Sequence, residues 1–183
     1  PWKADHARLE DAVAALALEA LSATGGSVLA FLPGVGEIAR TAARLEGRLP
    51  AGVDPRPIHG AMPLAAQRAA LAPAGAGRRK LVLATAIAET SLTVEGVTAV
   101  VDCGLARRSR FDAGSGMARL VTEPVSRAEA AQRAGRAGRL APGVCFRAWT
   151  AGEEGALPAQ PPAEILTADL APLALELAAW GAE

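Results

Sequence analysis

The 183 residues are 51% hydrophobic and carry 19 basic against 19 acidic side chains, for a net charge of zero. A chain of that length and apolarity can bury a core of its own, so one domain is expected. No apolar stretch is long and uninterrupted enough for a membrane span or a secretion signal, and neutrality argues against a generic nucleic-acid-binding module. The two cysteines, Cys103 and Cys145, lie far apart with no metal-ligand spacing. They are expected to be buried free thiols in a reducing cytoplasm. The chain opens Pro1-Trp2, which reads as a piece of something longer.

Along the chain, helix and strand signals alternate. Residues 8–22 repeat apolar groups at helical spacing (Leu9, Val13, Leu16, Leu21) until Gly25-Gly26 ends the segment. Ser27 to Leu32 is a short apolar run closed by Pro33-Gly34, the pattern of a buried parallel strand. Residues 37–48 are predicted helical, Val53–Ile58 a strand and 64–71 a helix. The loop 72–77 follows, then buried strands over Arg79–Ala84 and Val97–Asp102. Residues 104–122 predict a hairpin turning at 112–116. Ser126 with Glu129 forms a capping box that opens another helix. A strand over 143–149, a proline-containing linker over 155–164 and a helix over about 165–180 complete the chain. Alternating strands and helices imply an α/β fold, a parallel sheet covered on both faces, with ligands at the carboxyl ends of its strands. Trp149 and Trp180 are expected in the core or at domain contacts.

Charge is unevenly spread. Residues 107–147 hold nine arginines against Asp112, Glu123 and Glu129, a local charge of +6 that suggests one face built for phosphates. Its centre is Gln132-Arg133-Ala134-Gly135-Arg136-Ala137-Gly138-Arg139. Three arginines three residues apart project from roughly one side of a helix or helix end, and small residues between them let a phosphate or another domain come close. Planar, permanently charged guanidinium groups suit the charge that develops on a transferring phosphoryl group. Gly135 and Gly138 would each weaken a purely structural helix by about 1 kcal/mol.

This octet resembles motif VI of the DEAH/RHA group of superfamily 2 helicases. Ala84-Thr85-Ala86-Ile87-Ala88-Glu89-Thr90-Ser91-Leu92-Thr93-Val94-Glu95-Gly96-Val97, running on into Val100-Val101-Asp102-Cys103-Gly104-Leu105, resembles motif V. Phe31-Leu32-Pro33-Gly34 with Glu37-Ile38 resembles motif IV and its hook loop. Arg110-Phe111-Asp112, Gly116-Met117 and Arg119-Leu120 resemble the bacterial HrpB-type subgroup. The likeness covers nearly the whole chain in the right order. It implies a RecA-like domain of the P-loop-NTPase type, the second of two, over residues 1–154, with residues 155–183 leading toward a winged-helix segment.

The resemblance also implies roles. Arg136 and Arg139, the latter foremost, would reach the γ-phosphate of ATP held with Mg2+ mainly by a first RecA domain. Gln132 would position the attacking water, and Arg133 the surrounding network. Ser91 would couple nucleotide state to the strand, Thr93 and Glu95 would lie near the ribose, and Leu71 would stand where relatives stack an aromatic on adenine. Gly34, Val35, Gly36, Thr85 and Thr90 would hold the backbone of single-stranded RNA, with DNA left open. A hydroxyl-rich loop after a strand is chemically apt for that, since it contacts phosphates without reading bases. Arg107, Arg108 and Arg110 on the hairpin would contact RNA or dock other domains. The likeness implies 3′-to-5′ translocation.

Some positions depart from the family pattern. Ala86 replaces a polar residue, Pro33 a threonine, and Leu71 an aromatic, which weakens discrimination among nucleotide bases. No Gly-x-x-x-x-Gly-Lys-[Ser/Thr] phosphate loop and no Asp-Glu-x-His stretch occurs. Such a chain would supply arginines in trans to a phosphate cradle elsewhere. A non-catalytic RNA- or protein-binding module remains the alternative. A dinucleotide-binding oxidoreductase fits poorly, because Gly34-Val35-Gly36 runs on into Glu37-Ile38-Ala39.

Overall fold

The computed structural model describes residues 6–90, 94–112, 114–138 and 142–181. The helices are α1 (His6–Ala23), α2 (Val35–Leu45), α3 (Leu64–Leu71), α4 (Ile87–Thr90), α5 (Arg127–Ala134), α6 (Ala151–Ala156) and α7 (Ala171–Ala179), with a 3-10 turn at Glu164–Leu166. The strands are β1 (Ser27–Phe31), β2 (Val53–Ile58), β3 (Arg79–Ala84), β4 (Val97–Asp102), β5 (Leu105–Asp112), β6 (Met117–Pro124) and β7 (Val144–Arg147).

Five strands pair in parallel in the order β2-β3-β1-β4-β7, and β5 and β6 form a separate antiparallel hairpin. β1 is buried throughout, as its unbroken apolar run requires. β2 carries Pro55 and Pro57, which cannot donate to a ladder, and it lies at an edge where neither proline has to. Alternate residues of the central strands feed two cores. Val28, Ala30, Leu81, Leu83, Ala99 and Val101 pack under α1 and α2, while Leu29, Phe31, Val82, Ala84 and Val100 pack with Ala70, Ala88 and Ala137 on the opposite face. The sheet is thus covered on both sides, the α/β arrangement expected of a RecA-like fold.

Phe31 lies level with both Ala84 and Asp102, and Ile58 with Ala84. The loops that follow β1, β2, β3 and β4 therefore leave one carboxyl edge together. The β4–β5 turn passes through Gly104 (φ +76°), where a Cβ would come within 2.8 Å of the Trp149 ring. Only glycine meets both demands.

Several predicted boundaries move. α2 stops at Leu45, because Gly47 turns the chain at φ +69°. The single C-terminal helix expected over about 165–180 is a 3-10 turn and then α7, restarted at Pro172. α6 was not anticipated, although its start is legible in retrospect: Thr150 and Glu153 form a second capping box. Trp149 packs half-buried against Ala106, Val125 and Ala130. Trp180 is 80% exposed and belongs to no core here. Cys103 is buried and Cys145 half-buried, both free thiols. Burial pushes them to about 12 and about 11, so both are inert at neutral pH.

Candidate functional site

At the carboxyl edge, Pro33, Gly34, Val35, Gly36, His59, Thr85 and Arg107 line one groove of about 500 Å3, with Leu120 of the hairpin on its rim. The groove is built from loops that the parallel sheet is bound to bring together. Gly34 is the N-cap of α2 and contributes no side-chain cap, so the first turn of the helix opens beside it with its backbone donors. Glu37, in that turn, is 5% exposed. Its Oε1 accepts from Arg107 Nη2 and from Arg40 Nη2, each at 3.0 Å, and Arg40 Nε reaches on to Glu10 at 2.7 Å. Burial pushes the Glu37 carboxyl up, but a bond from its own backbone N–H and the two arginines outweigh it, and its pKa lies below the usual carboxylate value. The pair Arg107–Glu37 ties the hairpin to the loop after β1. A Cβ at Gly34 would collide with Arg107 and come within 2.7 Å of Glu37 Oε2.

The three hairpin arginines separate. Strand alternation puts Arg107 on the groove side and turns Arg108 and Arg110 to the other face. There Arg108 pairs with Glu129 and Glu123, and Arg110 binds Glu123 through two bonds, one of 2.7 Å from Nε. Of the three arginines expected to contact RNA or dock other domains, only Arg107 lines the groove, and the other two are held in ion pairs. The expected phosphate face is corrected likewise. Much of the +6 over residues 107–147 is met by acids from elsewhere in the chain, with Glu37 on Arg107, Glu89 and Asp102 on Arg133, and Glu154 on Arg147. Local charge along a sequence says nothing of such distant partners.

The arginine octet is not one helix. α5 ends at Ala134 with Gly135 as its C-cap, and residues 135–138 form a turn. No heavy atom beyond its chain neighbours would lie within 4 Å of a Cβ at Gly138, and only ordinary contacts would meet one at Gly135. These glycines thus leave the outer side open, as close approach by another domain requires. Gln132 is exposed, and Arg136 is 8% exposed. Arg133 is 1% exposed. Its guanidinium holds Glu89 Oε1 (2.7 Å from Nε), Asp102 Oδ1 (2.7 Å) and the Leu105 carbonyl (3.2 Å), and lies 5.0 Å from the Phe31 ring centre. Ser91, Thr93 and Arg139 lie outside the described residues, as does the Thr90 side chain.

Leu71 and Glu95 do not sit at the carboxyl edge. Leu71 ends α3 at the opposite rim, where its carbonyl and that of Ala72 accept from Lys80 Nζ at 3.0 and 3.1 Å. Arg56 Nη1 takes the carbonyls of Ala69, Ala70 and Ala72, the last at 2.7 Å. Glu95 is exposed and lines a hollow of about 320 Å3 beside Arg79 and Lys80. Burial lowers the Lys80 pKa, with help from Arg56 and against Glu95. Leu71 and Glu95 thus lie at the opposite rim of the sheet from the groove that Gly34, Val35, Gly36, Thr85 and Arg107 line. Lys80 and Arg56 were missed in the sequence, where their only signal is a charge within or beside an apolar run, and Glu37 and Glu89 were read within motifs but given no role.

Residues 9–141 match the helicase conserved C-terminal domain. The chain belongs to that family. It is 49% identical over 176 residues, 96% of its length, to the ATP-dependent RNA helicase HrpB of Escherichia coli (strain K12), of which it covers 22%. To the pre-mRNA-splicing factor ATP-dependent RNA helicase prp22 of Schizosaccharomyces pombe it is 43% identical over 136 residues, 71% of this chain and 12% of that one. A crystal structure of the Escherichia coli DEAH/RHA helicase HrpB superposes with a TM-score of 0.90 at 48% identity, over 97% of this chain and 23% of the solved one. Another, described as the DExH-box NTPase HrpB, gives 0.88. This helicase C-terminal domain therefore spans about a fifth of the length of HrpB. The resemblance to DEAH-type helicases and the RecA-like α/β fold both hold.

Proposed function

We propose that this chain is the second motor domain of an ATP-dependent RNA helicase. In this reading its carboxyl-edge groove grips single-stranded RNA by the backbone, and its arginine octet faces ATP bound on a first RecA domain. The groove carries the proposal: Gly34, Val35, Gly36, Thr85 and Arg107, from three separate parts of the sequence, converge on one cleft. Such a cleft offers backbone N–H groups, a hydroxyl and one guanidinium, donors suited to phosphates and indifferent to base identity. The similarity to HrpB over nearly the whole chain supports the same reading.

The chain does not fit a complete ATP site. It lacks a phosphate loop, and among the described residues no His, Cys, Asp and Glu cluster could hold a metal. In this reading Mg2+ and the triphosphate are held mainly by the first RecA domain. Arg139, with Arg136 and the water-positioning Gln132, would meet the charge that spreads over the transferring phosphoryl group. Leu71 would give the base an apolar lid, and Glu95, with Ser91 and Thr93, would stand by the ribose. A downstream winged-helix region is the further domain partner. The full-length protein is expected to hydrolyse ATP faster with single-stranded RNA present. Arg139→Ala should lower turnover by about 10³-fold or more while leaving ATP binding largely intact. Unchanged turnover in that variant rejects the finger assignment.

A further inference from the structure

Arg107 faces the groove already tethered. A chain of alternating charges runs from the core to its guanidinium. Glu10 on α1 is fully buried, and its Oε1 accepts from Arg40 Nε at 2.7 Å. Arg40 Nη2 donates to Glu37 Oε1 at 3.0 Å, and the same oxygen accepts from Arg107 Nη2 at 3.0 Å, across 70 residues of sequence. Arg107 Nε reaches Thr122 Oγ1 on the facing strand at 3.3 Å. Held in this way, the guanidinium lies over Gly34, and its Nη1 is the atom that a Cβ there would strike first. Gly34 caps α2, whose first-turn N–H groups open beside the same groove. We propose that the chain Glu10–Arg40–Glu37 is a positioning device, which sets Arg107 over the start of α2 as a phosphate contact before any strand arrives. The inference rests on the reading of the groove given above.

Attraction for an anion would not by itself put a carboxylate here. A negative charge beside the groove repels a phosphate, and a cation over a helix N-terminus is opposed by the helix dipole. Stability does not explain the contact either. The Arg107 side chain is 33% exposed, so its pairing contributes little, and Arg40 with Glu10 already ties α1 to α2. What the pairing supplies is direction. An arginine on a hairpin strand has many rotamers, and a group held in one of them before binding avoids the entropy that ordering would cost later. That advantage corresponds to about threefold to tenfold in affinity. Glu10 fixes the inner end of the chain, because its carboxylate is enclosed under α2 and cannot follow the hairpin.

Binding of poly(U) to the full-length protein is measured over a salt series for wild type, Glu37→Gln, Arg107→Ala and the double variant, with folding checked by circular dichroism. Arg107→Ala should bind less tightly and flatten the plot of log K against log salt by about 0.7, the share of one phosphate on a single strand. Glu37→Gln removes a negative charge, so repulsion alone predicts tighter binding. The proposal predicts the reverse, binding weaker by about threefold to tenfold. In the Arg107→Ala background the same substitution should cause no further loss. If Glu37→Gln does not fold, Glu37→Asp takes its place, since it keeps the charge but withdraws it from the guanidinium, and the same outcomes decide. Unchanged or tighter binding in the folded Glu37 variant overturns the proposal. So does a loss that persists in the Arg107→Ala background, which marks a brace of α2 and not a guide for Arg107. An Arg107→Ala protein with wild-type affinity and salt dependence removes the reading of the groove itself, and the proposal with it.

Discussion

Gly34 is the residue on which the groove turns. Its backbone is extended, so glycine is not needed for its φ; it is needed because Arg107 and Glu37 fill the space a Cβ would take. Gly34→Ala must push the Arg107–Glu37 pair aside. The expected cost is about 1–3 kcal/mol, in the range of overpacked sites, read as a lower urea midpoint with unchanged slope. Weaker binding of single-stranded RNA should accompany it. Arg133 teaches the same lesson from the other side. The sequence offers three similar arginines, yet the first is 1% exposed between two carboxylates.

Among the elements, α5 shows most plainly how local chemistry sets a boundary. Ser126 Oγ accepts from the Glu129 N–H at 3.2 Å, and Glu129 Oε2 accepts from the Ser126 N–H at 2.7 Å. Glu129 also receives Arg108 from the hairpin, so the cap doubles as the joint between β5 and α5. Ser126→Ala should cost about 1 kcal/mol, seen as a lower melting temperature. The cost should persist in high salt, because a cap bond is short-ranged, whereas the exposed part of the Arg108 pairing is screened. At the other end of the sheet, Lys80 and Arg56 take the last carbonyls of α3, where cations also suit the helix dipole. They hold Leu71 in place from strands that the helix itself does not contain.

Across the whole molecule, acid should weaken the ion pairs and caps that hold carboxylates low, those of Glu37, Glu123 and Glu129 among them. The Arg110 hydrogen bond holds Glu123 below its ordinary 4.5, in spite of burial. Burial raises Glu129, but the Ser126 cap and Arg108 outweigh it, and Glu37 is lowered for the reasons given above. A carboxylate with a depressed folded pKa contributes stability that is present above its unfolded value and lost as pH falls through the folded one. Stability should therefore hold down to about pH 4.5 and decline steadily below it. Glu89 runs the other way: burial raises its pKa more than Arg133 lowers it, so its contribution is greatest below 4.5 and shrinks as pH rises. Thermal melts between neutral pH and pH 3 check the sign; a stability that rises on acidification would contradict it. Contacts between distant segments carry this behaviour, with Arg107 on Glu37 and Arg108 on Glu129 bridging the hairpin to both faces of the domain.

The sequence by itself determined the strands, the hairpin, the capping box and the α/β class, because periodicity and caps are written within a few residues of where they act. β2, β3 and β4 fall where apolar runs and turn residues place them. The motif order likewise pointed to a DEAH-type helicase domain. Only the tertiary structure decided which charges are available. Arg108, Arg110 and Arg133 belong to a stretch whose sequence reads as strongly basic, yet each meets an acid that lies 13 to 44 residues away and that no local pattern reveals. It also placed Leu71 at the rim opposite Thr85, because a helix returning antiparallel to its strand carries its end to the far edge of the sheet, and Glu95 there because it leads into the start of β4. Short-range chemistry forms the elements; which side chain faces solvent, ligand or counter-ion depends on the packing of segments that the chain itself keeps far apart.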